Sequence, residues 1–150
     1  MARQRPIDAK PVTLRRAVAE GRLDLRPPTR RAIRARRVEK GDPIQAGEIA
    51  GLSAMKRTAE LIPHCHIVPL TGSSVELALT PRGVRVVARA ETIYRTGVEM
   101  EALVGATVSL LTVWDMVKYL EKDAEGGYPT TRLGPVRVVQ KTKEPLGGAS

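Results

Sequence analysis

Asp115 and Lys118 stand three residues apart among Leu110, Leu111, Val113, Trp114, Met116, Val117 and Leu120. A helix made from that run is apolar nearly all round, so it is expected to be buried. An acid and an amine at i and i+3 share a helix face and can pair. The plainer reading is an ion pair that only holds structure. A buried carboxylate–ammonium couple also sets a proton acceptor beside a donor with tuned pKa values, and that functional reading is the preferred one.

Two further segments concentrate polar groups. Lys56-Arg57-Thr58-Ala59-Glu60-Leu61-Ile62-Pro63-His64-Cys65-His66 holds cations, imidazoles and a thiol within eleven positions. Neighbouring residues of an extended segment point to opposite sides, so only His64 and His66 could share one. No second Cys/His cluster completes a tetrahedral set, which disfavours zinc. A histidine presented after Pro63 as a donor to an anionic ligand competes evenly with an ordinary loop histidine. Lys40, Lys56 and Arg57 could meet phosphate, although each taken singly is most often a solvated charge. There is no Gly-x-x-x-x-Gly-Lys loop for a nucleotide triphosphate.

The third segment is Thr96-Gly97-Val98-Glu99-Met100-Glu101-Ala102-Leu103. Thr96-x-x-Glu99 matches a capping box, and acids near a helix start are favoured by its dipole, so Glu99 reads as a cap. Glu101 reads as a solvated face or a site residue. It precedes Asp115 by 14 positions, nearly in phase and roughly 21 Å along a straight helix. One small ligand cannot touch both on one helix. If both serve one site, a second subunit brings one of them.

The elements that must position these groups are legible as follows. Residues 1–10 read as a flexible basic arm, and Val12 to Leu25 as extended chain broken by a turn at Glu20-Gly21. Pro27-Pro28-Thr29 opens a short Arg-rich helix ending before Gly41. Asp42-Pro43-Ile44-Gln45 starts a second helix, with Asp as cap and Pro at the first position, and Pro63 stops it after Ile62. Val75, Leu77 and Leu79, then Val84, Val86, Ala88 and Ala90, alternate as strands around the turn Thr80-Pro81-Arg82-Gly83, predicting a hairpin. A long helix to about Leu120 follows, then a Gly-rich loop and a last strand over Val136–Val139. The order β-α-α-β-β-α-β predicts an α+β fold, a ferredoxin-like βαββαβ plan with an antiparallel sheet and an added N-terminal helix. The expected divisions are an arm over 1–10, a catalytic domain over 11–141 and a flexible tail over 142–150.

Composition sets the remaining bounds. A chain of 150 residues with 42% apolar and 27% charged residues is one domain with a real core. No apolar run in the sequence approaches the roughly 20 residues of a membrane helix, and the Arg-rich start, with no apolar core behind it, is not expected to be a secretory signal. The single Cys65 fits a reducing, cytoplasmic compartment. Asn is absent, as in some heat-adapted chains or under a codon bias. A net charge of +9, much of it within the first 40 residues, suits an anionic partner. The basic segments lack interleaved aromatics for base stacking, so nucleic acid is disfavoured against a phosphate-bearing small ligand.

Taken together, Lys40-Gly41-Asp42, Ile49-Ala50-Gly51, Lys56-Arg57-Thr58 through Cys65-His66, Thr96 through Leu103 and Asp115-Met116-Val117-Lys118 resemble the cyclic pyranopterin monophosphate synthase family, the C protein of molybdenum-cofactor biosynthesis. The resemblance covers roughly residues 8–141. It implies a hexamer, a trimer of dimers, with sites at subunit interfaces. It also implies a lyase that turns a cyclic 7,8-dihydroguanosine triphosphate into cyclic pyranopterin monophosphate and pyrophosphate. By motif, Asp115 is the implied acid/base and Lys118 its partner. Lys40, Lys56, His64, Cys65, His66, Glu99, Met100, Glu101 and Lys141 are implied to bind substrate. No resident cofactor or metal is implied, although Mg²⁺ could accompany the triphosphate. His64 and Ile67 depart from the family pattern, as does the reduced tail Lys141-Thr142-Lys143-Glu144-Pro145. The competing reading is a basic RNA- or ribosome-associated module on a ferredoxin-like sheet, which accounts for the charge but not for Asp115 and Lys118.

Overall fold

The computed structural model describes residues 1–147. Strand β1 (Thr13–Asp24) is followed by α1 (Pro27–Arg34), α2 (Pro43–Met55) and α3 (Thr58–Leu61). The hairpin β2 (Gly72–Thr80) and β3 (Gly83–Tyr94) leads into α4 (Glu99–Glu121), then β4 (Arg132–Leu133) and β5 (Arg137–Pro145). Among the described residues the result is α+β, with four helices and a five-stranded antiparallel sheet ordered β2-β3-β1-β4, β5 also pairing with β1. β4 meets β1 at Leu23–Asp24 and β5 meets it from Thr13 to Glu20, so the two share one flank of that strand.

The expected turn at Glu20-Gly21 is absent: β1 runs unbroken and pairs with β3 from Thr13↔Tyr94 to Asp24↔Gly83. Gly21 is there for room. A Cβ on it would sit 2.9 Å from Val136 Cγ2 and 3.1 Å from Leu110 Cδ1, so the glycine lets α4 and the β4–β5 segment close over the strand. β5 also extends well past Val139 and pairs with β1 as far as Pro145, so the tail expected from residue 142 is sheet for its first four residues.

Asp42 caps α2 as its residue type demands, its carboxylate accepting from Ile44 N at 2.9 Å and Gln45 N at 3.2 Å. That helix does not continue to Ile62. It ends at Met55, where Thr58 turns its hydroxyl back onto the Met55 carbonyl at 2.9 Å, and the single turn α3 follows. The break places Lys56 and Arg57 at a corner instead of on a helix face.

α4 is the spine of the molecule. Ala102, Ala106, Leu110, Val113 and Val117 are fully buried at helical spacing against the core. On length and composition this helix could cross a membrane, contrary to the reading of the apolar runs, yet that stripe is the protein's own core. α2 comes close enough to it that a Cβ on Gly51 would lie 2.7 Å from the Gly105 carbonyl. The start of α4 also differs from expectation: Val98 is the cap residue, no side chain caps it, and the Thr96/Glu99 capping box does not form. At the other end Glu121, with no solvent exposure, accepts from Arg26 N at 3.0 Å and from the hydroxyls of Thr29 and Thr131. Three donors satisfy a carboxylate that has no ion-pair partner among the described residues, pinning α4 to the start of α1 and to the segment before β4.

Candidate active site

α4 presents chemistry at both ends. In its last third, Asp115 and Lys118 share a face as the spacing requires, with Lys118 Nζ 2.7 Å from Asp115 Oδ1. Lys40 joins them from the loop after α1: its ammonium lies 3.1 Å from Asp115 Oδ2 and donates at 3.1 Å to the Asp115 carbonyl. Two cations on one carboxylate leave a surplus positive charge. The pair is not buried within one chain, as the apolar run suggested: the Asp115 side chain is 57% exposed and that of Lys118 44%. Both stand off the flank of the helix, away from the Leu110–Val113–Val117 stripe that faces the core.

The electrostatics order the protons. Hydrogen bonds from Lys118 and then Lys40, with their charges, hold the Asp115 carboxyl below its ordinary range. Asp115 in turn raises Lys118 above the ordinary amine range. Base and acid are therefore both in their charged forms at neutral pH, 2.7 Å apart.

Tyr119 is a partner that the sequence reading did not single out. Its hydroxyl accepts from Glu39 N at 2.9 Å and docks the Lys40 loop onto α4. The available signal is its position, one residue after Lys118, and no local pattern marks the loop it meets.

The first turn of α4 builds a different environment. Glu101 is 4% exposed and helps to line a cavity of about 580 Å³ with Lys56, Arg57, Cys65, His66 and Tyr94. A smaller recess of about 230 Å³ is bounded by His64, Cys65, His66, Glu99, Met100 and Glu101. Burial pushes the Glu101 carboxyl up, against its own backbone amide, and the charge of Glu99 adds to the rise. Of the two readings of Glu101 left open by the sequence, burial excludes the solvated face. Burial and then the Glu101 charge push the Cys65 thiol up, which makes it a poor nucleophile and suits a contact role.

Glu99 behaves otherwise. Burial works to raise its carboxyl, but the hydrogen bond from Lys141, its own amide and the charges of Lys141 and Arg15 outweigh it, and the net shift is downward. Lys141 reaches Glu99 from β5 as an ion pair. Arg15, on the paired strand β1, is half-buried on the same face as Thr13 and Ala17, and in sequence it counted only toward the basic excess of the first 40 residues. Among the described residues no group of three or more His, Cys, Asp and Glu side chains is gathered to hold a metal ion.

One chain therefore brings together Lys40, Asp115 and Lys118, and separately Lys56, His64, Cys65, His66, Glu99, Met100, Glu101 and Lys141. Fourteen positions of straight α4, roughly 21 Å, separate Glu101 from Asp115.

The sequence profile of the MoaC family matches residues 5–144. The chain belongs to the MoaC family. Relatives in this family include proteins named probable cyclic pyranopterin monophosphate synthase from several archaea. That of Pyrococcus abyssi is 49% identical over 137 residues, covering 91% of this chain and 86% of the relative. That of Sulfolobus acidocaldarius is 47% identical over 137 residues, covering 91% and 96%. That of Thermococcus onnurineus is 49% identical over 131 residues, covering 87% and 84%. The MoaC match takes in both clusters, including Lys40, Lys118 and Lys141, and begins inside the N-terminal arm.

Proposed function

We infer that this chain is a cyclic pyranopterin monophosphate synthase of molybdenum-cofactor biosynthesis, a lyase. Its substrate is the cyclic 7,8-dihydroguanosine triphosphate, which it rearranges to cyclic pyranopterin monophosphate with release of pyrophosphate. The observation that carries the reading is the Lys40–Asp115–Lys118 constellation in a chain matched to the family over residues 5–144. An RNA-associated module has no use for a carboxylate held between two ammonium groups.

The residue roles follow from the charge states. Asp115, kept ionised, is the base that accepts a proton from substrate. Lys118, kept protonated, is the acid that returns one, and Lys40 fixes the carboxylate and offers its remaining charge to phosphate. Lys56, with Arg57 beside it in the cavity lining, suits the phosphates. Cys65, His66, Met100 and Glu101 suit the ring system, and Glu99 with Lys141 braces the wall. No resident cofactor is required for this acid–base rearrangement, and Mg²⁺ could travel with the triphosphate.

We read the four long strands β2-β3-β1-β5 as a ferredoxin-like sheet, and the active assembly as a homohexamer, a trimer of dimers acting in the cytoplasm. Two features support shared sites. The proton-transfer cluster is open to solvent in a single chain, where a water-filled surface would weaken it. The cavity with Glu101 lies too far along α4 to serve the same ligand. A second copy that laid its Glu101 cavity against Lys40–Asp115–Lys118 would close one complete site. The direct test is pyrophosphate release from the cyclic triphosphate, with mass by light scattering. No release, or a 16.3 kDa particle at micromolar protein, overturns the corresponding half of this reading.

A further inference from the structure

The N-terminal residues reach the cavity of about 580 Å³, whose walls include Gln4 and Ile7 beside Lys56, Cys65, His66 and Glu101. Residues 3–7 belong to no strand or helix, so side-chain contacts have to hold them there. Gln4 Nε2 donates to the Cys65 carbonyl at 2.8 Å. His64 Nδ1 lies 3.0 Å from the Arg3 carbonyl. That oxygen can only accept, so Nδ1 carries the proton. At the root of the arm, Arg95 Nη1 donates to the carbonyls of Asp8 at 2.5 Å and Lys10 at 2.6 Å. The arm is therefore strapped down at both ends, across the segment that carries Cys65 and His66.

We propose that Arg3–Ile7 form the outer wall of the substrate pocket, latched by His64, and that Gln4 and Ile7 touch the bound substrate. This rests on the reading that the cavity takes the cyclic triphosphate. Gln4 spends one N–H on the Cys65 carbonyl and keeps its amide oxygen and second N–H. That donor–acceptor pair suits the edge of a purine-derived ring, whereas Lys56 and Arg57 suit phosphate. Ile7 adds an apolar surface for the ring face. His64 is then a positioning residue that acts through the arm. Its place agrees: His66 lines the large cavity, while His64 borders only the smaller recess. The Gln4 and His64 bonds are solvent-exposed and individually weak, so the arm can release to admit substrate and re-form over it.

The test is a double-mutant cycle on affinity for the cyclic triphosphate, in an Asp115→Asn background that stops turnover. Deletion of residues 2–6 is expected to weaken binding roughly tenfold. His64→Ala is expected to weaken it about threefold in the full-length chain and not at all in the truncated one. Unchanged affinity on truncation overturns the proposal. So does an equal His64→Ala effect in both lengths, since His64 would then touch substrate itself. Turnover by the wild-type enzyme is measured first. If that is absent, the functional reading has failed, and the latch is judged alone by hydrogen exchange. Amides of residues 3–7 should lose protection in His64→Ala, and unchanged exchange overturns the latch.

Discussion

At its first turn α4 buries Glu101 to 4% exposure, and among the described residues no lysine or arginine comes within ion-pair distance of it. Fourteen residues later the same helix holds Asp115 out in solvent between two ammonium groups. Burial pushes the first carboxyl up; hydrogen bonds from Lys118 and Lys40 pull the second down. The difference separates two jobs. Asp115 is held ionised at neutral pH beside a protonated amine and needs little from the fold beyond a rigid helix. Glu101 is a buried carboxyl in a cavity wall, offset by its own backbone amide but by no cation among the described residues, a position that costs stability and gains meaning when something polar fills the cavity.

The largest expected effect lies at the exposed end. Asp115→Asn and Lys118→Ala should each lower kcat by roughly 10²–10⁴-fold, the range for loss of a positioned acid or base. Their melting temperatures should hardly move, because an exposed ion pair adds little to stability. Near-normal pyrophosphate release by either variant would sink the assignment. A collapsed or aggregated variant would make the pair structural.

Joining the two ends gives the next effect. If each site draws Glu101 and Asp115 from different chains, mixing Glu101→Ala with Asp115→Asn protein should restore activity at some interfaces. Random exchange in a closed oligomer leaves about a quarter of the sites intact. Subunit exchange is confirmed by mass spectrometry of tagged chains. Exchange without recovered pyrophosphate release, while both variants still bind substrate, would assign each site to one chain or leave Glu101 structural. Lys40→Ala should cost less than loss of Asp115. Removing one charge-assisted hydrogen bond is expected to reduce kcat/KM roughly ten- to a hundredfold. An unchanged kcat/KM would show Lys40 to be a bystander.

The contrast between the ends also explains what the sequence could and could not disclose. The i, i+3 spacing fixed the Asp115–Lys118 contact, and the Asp42 cap and the β2–β3 hairpin were equally local, so all three were legible. The third member, Lys40, is 75 positions from Asp115, and the loop that brings it there is docked by Tyr119 through a backbone N–H that no pattern advertises. Burial was misjudged at Asp115 and left open at Glu101 for one reason. Composition showed α4 to be apolar but not how its faces are shared out among sheet, α2 and solvent, so Asp115 was expected inside and Glu101 read as either a solvated face or a site residue. Gly21 was misread as a turn because a glycine that makes room for Val136 looks the same in sequence as one that bends the chain.

The smallest expected effect is the cleanest test of the contrast, since the two ends should titrate with opposite sign. Asp115 has a folded pKa below its ordinary 3.8, so whatever stability its pairing adds is present above that pH and is lost as pH falls through the folded value. Exposure keeps this contribution small. Glu101 has a folded pKa above its ordinary 4.5. Between 4.5 and the raised folded value the native state binds more protons than the unfolded chain, so stability declines as pH rises through that window. Glu101→Gln keeps the shape and most of the polarity but cannot ionise. Its melting temperature should match the wild type below the window and exceed it above. Asp115→Asn should instead flatten only the acid limb. Melting curves of the three proteins between pH 3 and pH 8, read by circular dichroism, check both signs. A Glu101→Gln protein that tracks the wild type across the whole range would mean that Glu101 finds a charged partner in the assembled enzyme. The burial contrast would then belong to the single chain alone, and the Glu101 cavity would have to be treated as an interface first and a ligand site second.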